Sequence, residues 1–492
     1  MFQSLRQLIK QSSVYYIGMM IISLSSFISL PILTRIMSKS EYGILSLVTL
    51  TTFLVVVPAK FGLQNSAVFY FDEFKLNKRK DGIDTYYSTL FWGSLFIALS
   101  VALIFYTAGD ALVKYLPNKS LVGFTGIIAA LVVTEAMIIR IKNFLRIEQR
   151  SALFVFIGII KSYGRIATGL LYFYFFSRTV QGFLIGTILT NVVLLISSPL
   201  YMEWYKEIRI ASFSSKFLKE CLYYGYPFIG IEAASLLIKY SDRYLIDYFL
   251  GPSEVGVYSV SGNLCMSIST GIFSSIWLAL SPMYMRIYRT EGENKTAEFV
   301  SASINILLLV SIPIVFGLSV ISREVILVLA SKKFIDAASV IPFLICGAAI
   351  WGLIPLYATG FYIKKKVNLY NRIVFFSTCL NIALNIYMIP RWGIQGAAIA
   401  TLITYIAAFI LVFKVSFRYL EIKTDFIALF HYITAGVIMY IVLSEMKLDV
   451  NISNLVLKII SGALLYLTIV VSFNKRLRIS IKKLFLKQSL HE

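Results

Sequence analysis

The chain has 492 residues, 58% of them hydrophobic and only 14% charged, with a formal net charge of +21. Soluble domains carry about 25% charged residues, so this composition excludes an ordinary soluble protein and points to a membrane. Four cysteines, all falling in or at the ends of apolar runs, and two histidines leave no basis for a disulfide framework or a His-based metal centre.

Apolar runs recur from end to end, each long enough to cross a bilayer core of about 30 Å. Fourteen transmembrane helices are predicted, over roughly 12–33, 43–63, 84–108, 120–140, 151–176, 180–202, 221–241, 255–280, 296–320, 334–360, 368–389, 394–413, 426–445 and 453–473. Arg6 and Lys10 precede the first span as they would a signal peptide. That span is too long for a signal h-region and lacks a small-residue cleavage site, so it reads as a retained helix. The longest stretch between spans, about 20 residues over 64–83, cannot hold a catalytic domain. The chain has no Walker A sequence to hold ATP phosphates. A polytopic glycosyltransferase or polymerase would need acidic or Arg-rich motifs on one long outer loop, and there is none. The composition therefore describes a membrane protein that is not an enzyme.

With the N-terminus inside, Lys and Arg concentrate on one side. Lys75 and Lys78 to Lys80, then Arg140, Lys142, Arg146 and Arg150, then Lys206 to Lys219, Arg286 to Lys295, Lys364 to Lys366 and Lys414 to Lys423 alternate with sparser loops. A basic tail over 474–492 follows the last span. Positive charge stays on the cytoplasmic side, which predicts a multi-pass protein with both termini cytoplasmic. The same charge meets anionic membrane lipid headgroups. It forms no single soluble patch, so nucleic acid is not an expected partner.

Two stretches about 213 residues apart read almost alike. Ser40-Glu41-Tyr42-Gly43-Ile44-Leu45-Ser46-Leu47 is echoed by Ser253-Glu254-Val255-Gly256-Val257-Tyr258-Ser259-Val260. Val180-Gln181-Gly182-Phe183-Leu184-Ile185-Gly186-Thr187 returns 214 residues on as Ile394-Gln395-Gly396-Ala397-Ala398-Ile399-Ala400-Thr401. Two echoes in one register predict a duplicated unit. The expected organisation is a first six-helix bundle over 1–210, a second over 211–423, two further helices over 424–473, and the tail. Six helices per repeat make the repeats parallel, related by an axis along the membrane normal.

Pro31-x-x-Thr34-Arg35-Ile36-Met37 followed by Glu41-Tyr42-Gly43 resembles the junction of the first two helices in the bacterial polysaccharide flippases, the Wzx-type branch of the multidrug/oligosaccharidyl-lipid/polysaccharide exporter superfamily. Asp242-Arg243-Tyr244-Leu245-Ile246, then Gly251 and Val255-Gly256-Val257-Tyr258-Ser259, resembles that family's junction of helices 7 and 8. Gly393-Ile394-Gln395-Gly396-Ala397-Ala398-Ile399-Ala400-Thr401 resembles the start of its helix 12. The resemblance implies an all-α, MATE-like fold with two bundles around a central cavity. It implies transport of undecaprenyl-diphosphate-linked oligosaccharide across the inner membrane, for O-antigen, capsule or another polysaccharide. A polysaccharide polymerase and a chain-length regulator are the protein partners such a role implies.

Charges inside the spans carry the expected site, because a charge in hydrocarbon is costly and faces a cavity. At about 1.5 Å per residue, Lys161 lies about 15 Å and Arg165 about 21 Å into the fifth span. They are four residues apart and share a face. Glu232 lies about 16 Å into the seventh span, with Lys239 two turns on. Glu135 is placed near the cytoplasmic end of the fourth span, and Lys60 near the inner end of the second. Lys161 and Arg165 would attract a diphosphate or an acidic sugar, and Arg can grip phosphate oxygens in pairs. Glu232 would balance that charge or carry a coupling proton. The competing reading is structural: a salt bridge such as Lys161 with Glu232 or Glu135 with Arg140, and Lys60 snorkelling to the interface. Arg35, Asp242 and Arg243 sit at the periplasmic ends of spans 1 and 7, as an outer gate or as helix-end contacts. Pro58, Pro227, Pro313, Pro342 and Pro355 permit kinks within spans.

The expected function is therefore a flippase moving undecaprenyl-diphosphate-linked oligosaccharide outward by alternating access, with no cofactor and either H+ or Na+ as a coupling ion. The alternatives are a drug/cation antiporter of the same superfamily, which needs an acidic cavity, a lipid II-type flippase, and a non-transporting scaffold.

Overall fold

A computed structural model describes residues 2–76, 81–114 and 120–473. The basic residues Lys78, Arg79, Lys80 and Lys119, and the tail from 474, lie outside the described residues.

The described residues form helices joined by short connections, with no strand among them. In order, the helices are α1 (Phe2–Ile36), α2 (Lys39–Lys60), α3 (Leu63–Lys75), α4 (Ile83–Lys114), α5 (Thr125–Ile147), α6 (Ser151–Phe175), α7 (Val180–Ser197), α8 (Ser215–Leu250), α9 (Pro252–Ser269), α10 (Ser275–Glu291), α11 (Glu293–Val320), α12 (Ser322–Leu329), α13 (Ile341–Tyr357), α14 (Thr359–Ile363), α15 (Val367–Ser416), α16 (Phe426–Glu445) and α17 (Ile452–Phe473). Among the described residues, eleven helical stretches are long and apolar enough to cross a membrane. All fourteen predicted spans nevertheless fall on helix. The 50-residue α15 carries two of them, because Pro390 lacks a donor and Gly393 takes φ 58° and ψ −141°. Unbroken, it would be about 75 Å long, over twice a bilayer core. The fourth span falls on α5, whose charges lower its hydropathy, and the eighth on α9 and α10.

Local chemistry sets the ends. Ser38 and Glu41 form a reciprocal capping box on α2. Thr179, Ser214 and Asp425 cap α7, α8 and α16 with side-chain oxygens. α2 stops two residues after Pro58, where Phe61 and Gly62 are both left-handed, and α3 resumes at Leu63. The fourth span differs from its predicted bounds of 120–140. The helix runs to Ile147, because Arg140, Lys142 and Arg146 lie on its last turns rather than in a loop.

Contacts group the chain into two compact units. The first is Met1–Ser29 with Ile36–Ser259, and the second is Leu30–Arg35 with the chain from Val260. The first unit has an aromatic core where α3, α4, α5 and α8 meet, built on Phe74, Tyr86, Phe144, Trp204 and Phe217. The second packs α11, α13, α15, α16 and α17 around Leu307, Ile354, Tyr432 and Tyr466.

Within the first unit, the two echoed motifs touch. A side chain on Gly43 would run into the Pro252 carbonyl and the Gly256 amide, and one on Gly256 into the Lys39 carbonyl. Ser46 and Ser259, 213 residues apart, share a hydroxyl–hydroxyl hydrogen bond of 2.8 Å. The geometry also repeats along the chain. α5 spans Thr125–Ile147, and α13 with α14 spans Ile341–Ile363, each bound 216 residues on. Both end in the same turn, with Gln149 at φ 60° and Lys365 at φ 56°. There Arg150 N donates to Leu145 O (2.9 Å), and Lys366 N to Phe361 O (2.7 Å).

Candidate functional site

Three helices of the first unit bring one charge cluster together. Glu135 is ten residues into α5 and Lys161 ten residues into α6, so each is about 15 Å along its helix. The extension of α5 to Ile147 moves Glu135 from the end of a span to its middle. The two side chains form an ion pair. Asn191 on α7 donates to the other Glu135 oxygen at 3.1 Å and to Thr134 Oγ1 at 3.3 Å. Arg165 lies one turn beyond Lys161, with a buried Nε that has no hydrogen-bond partner. Lys142, two turns after Glu135, places its ammonium 4.2 Å from the Phe154 ring centroid.

A second cluster forms at the α2–α3 break. Lys60 pairs with Glu232 from the middle of α8. Gln64 Nε2 donates to the other Glu232 oxygen at 3.3 Å. Arg140 is only 4% exposed. Its Nε donates to Ser94 Oγ at 2.7 Å and its Nη1 to Asn143 Oδ1 at 3.3 Å. No carboxylate pairs with it among the described residues. Lys60, Gln64, Ser94, Arg140 and Asn143 line one small cleft.

Two expected pairings are thus replaced. Lys161 binds Glu135, not Glu232, and Glu135 binds Lys161 and Asn191, not Arg140. Lys60 is held by Glu232 instead of snorkelling. Lys239 lies exposed on α8, with no partner among the described residues.

The expected gate residues fall in different units. Asp242 and Arg243 are buried in the first unit. Asp242 accepts hydrogen bonds from Tyr258 Oη and from the Arg243 backbone N at 2.8 Å. The Arg243 guanidinium sits 5.3 Å from the Tyr240 ring centroid. Arg35 is exposed in the second unit, where its Nη2 donates to Val328 O at 3.1 Å and its own carbonyl accepts from Lys333 at 3.3 Å.

The sequence reading did not single out Asn191 and Gln64, and it placed Arg140 and Lys142 in a cytoplasmic loop. The seven-residue spacing of Glu135 and Lys142 was a usable signal that α5 continues. Across these two clusters Lys60, Arg140, Lys142, Lys161 and Arg165 share two carboxylates, Glu135 and Glu232. Unpaired charge is expensive in a low-dielectric interior, so this excess of cations suits an anion. No group of three or more His, Cys, Asp or Glu suited to a metal occurs among the described residues.

Comparison with known proteins places this geometry. The solved structure of the lipid II flippase MurJ, in an inward closed conformation, covers 97% of this chain and all of its own. It superposes with a TM-score of 0.69 at 17% identity, which shows a shared fold. The succinoglycan biosynthesis transport protein ExoT of Rhizobium meliloti is 22% identical over 65% of this chain and 61% of its own length. A protein of Haloferax volcanii named as a probable low-salt glycan biosynthesis flippase, Agl15, is 26% identical over 48% of this chain and 50% of its own. The matches therefore span less than two thirds of either relative. The model of one family, described as polysaccharide biosynthesis protein, matches residues 32–339, more than half of the sequence, and the chain belongs to that family.

Proposed function

We propose that the protein is a flippase that carries an undecaprenyl-diphosphate-linked oligosaccharide from the cytoplasmic to the outer face of a bacterial inner membrane. The observation that carries this reading is the cation excess in the two clusters, five basic side chains against two carboxylates, with the buried Asp242 and Asp247 at least ten residues, about 15 Å, further along α8 than Glu232. A diphosphate headgroup supplies the missing negative charge, and Arg165 and Arg140 can hold phosphate oxygens in pairs. The exposed Lys239 adds a cation that lipid tails would not tolerate. The family is described by polysaccharide biosynthesis, and two relatives are named as a transport protein and a probable flippase of saccharide pathways, which supports transport rather than catalysis.

The proposed mechanism is alternating access, with the repeats 1–210 and 211–423 rocking while the polyprenyl tail stays in lipid. The matched turns at Gln149 and Lys365 support that duplication. Helices α16 and α17, outside it, would flank the lipid path. Either H+ or Na+ fits as a coupling ion, with Glu135 and Glu232 the carboxylates within reach. Both termini would be cytoplasmic, and a polymerase and chain-length regulator would act on the product. A cationic-drug antiporter would want an acidic site, the reverse of these two clusters.

The test is to delete the gene and ask where the lipid-linked oligosaccharide accumulates, using spheroplasts and a membrane-impermeant sugar-modifying probe. The expected outcome is accumulation on the cytoplasmic face, protected from the probe. Full access from outside, with polysaccharide production unchanged, would overturn the reading and turn attention to drug efflux.

A further inference from the structure

The charged cluster has an uncharged counterpart. With the offset of 216 fixed by the helix bounds and turn, Glu135 corresponds to Trp351, Lys161 to Ser377 and Arg165 to Asn381. With the offset of 214 that relates α7 to the second limb of α15, Asn191 corresponds to Tyr405. One contact recurs while its chemistry changes. Where Asn191 bonds Glu135, the Trp351 and Tyr405 rings lie 4.8 Å apart at 34°. At the position of Arg165, Asn381 Nδ2 donates to Thr404 Oγ1 at 3.3 Å.

This second-unit cluster has unused hydrogen-bonding capacity. Trp351 is half-buried on α13, a helix with no fully exposed residue. Its indole N–H has no partner among the described residues. Asn385 bonds Asn381 through its amide nitrogen, but its Oδ1 is buried and unpartnered. Thr401 Oγ1, one turn before Tyr405, is likewise buried without a partner. Unmet polar groups inside a membrane fold are costly and call for an occupant. A charged occupant is not favoured, because no ionised side chain belongs to the cluster. A pair of aromatic faces with a free donor and free acceptors suits a ring that is apolar on its faces and hydroxylated at its edge.

We infer that the α13–α15 cluster of the second unit is a subsite for a neutral sugar ring, with Trp351 as its platform. The duplication thereby supplies two chemistries from one scaffold, cations for the diphosphate in the first unit and an aromatic–amide surface for the sugar in the second. The inference rests on the flippase reading for its source of sugar.

The experiment uses the full-length protein in lipid nanodiscs and two probes, undecaprenyl diphosphate with and without an attached oligosaccharide. Trp351→Ala is expected to weaken binding of the glycosylated lipid by about tenfold, while the bare diphosphate lipid binds as before. Trp351→Phe keeps an aromatic face, loses the N–H, and is expected to fall between. Equal weakening of both lipids, or no change in either, would overturn the subsite and leave Trp351 as packing. A wild type that prefers both diphosphate lipids to phosphatidylglycerol but gains nothing from the sugar overturns the subsite alone. A wild type with no such preference overturns the flippase reading and the subsite together.

Discussion

Lys161 and Arg165 share a face of α6 but stand in different electrostatic positions, and that difference separates structure from function. Lys161 holds Glu135, whose side chain is 12% exposed, so removing the lysine strands a buried carboxylate on Asn191 alone. Breaking such a pair is expected to cost about 2 kcal/mol once the partial exposure of Lys161 is discounted. Removing Glu135 as well relieves the strand. In detergent, Lys161→Ala should therefore melt below wild type, and the Lys161→Ala, Glu135→Ala double variant should recover part of the loss. An additive double variant would mean the pair contributes nothing. Arg165 has no carboxylate bonded to it among the described residues, so Arg165→Ala should leave melting within a degree or two while lowering surface polysaccharide at least tenfold. Normal polysaccharide at normal protein levels would remove Arg165 from the site.

At the scale of the element, the break between α2 and α3 is what presents Lys60 and Gln64 to Glu232. It depends on Gly62, whose φ of 66° disfavours other residues and whose missing side chain leaves room for the Gly225 carbonyl of α8. Gly62→Val should cost on the order of 3 kcal/mol by combining backbone strain with a clash against main chain. Loss of folded protein in a membrane fraction, read by fluorescence-detected size exclusion, checks it; a fully stable variant would show that the break is not required. Pro58 was readable in the sequence as a kink, but the resumption of the helix at Leu63 was not. The hydropathy of a single run does not reveal two left-handed residues within it. α5 shows the opposite failure. Arg140, Lys142 and Arg146 look like a cytoplasmic loop by charge, because hydropathy cannot tell a solvated cation from one buried against Ser94 and Asn143. The spans and the depths of Lys161 and Glu232 were legible because charge inside an apolar run stands out locally. Their partners were not, since pairing depends on how α5, α6 and α7 pack, and packing leaves no mark on one helix's own sequence.

Over the whole molecule, the duplicated motifs meet at their own equivalents. Gly43 packs on Gly256, and Ser46 bonds Ser259, each pair separated by 213 residues. Under the proposed duplication, a residue touching its own counterpart lies on the axis relating the repeats, as in an isologous interface. Rocking that opens a path between the repeats at this crossing must break the contact, because tightly packed glycine crossings are either engaged or apart. A static scaffold, by contrast, would keep it throughout. The pair Ser46→Cys and Ser259→Cys decides between them, since both serines are buried and their hydroxyls already lie within bonding distance. The four native cysteines must first be replaced, so that only this bridge forms. Oxidation is expected to stop export of the lipid-linked sugar, and a reductant to restore it to the level of the single-cysteine variants. Export that continues at full rate with the bridge formed would mean that α2 and α9 stay joined throughout the cycle, and that any movement of the repeats pivots on this contact instead of opening it.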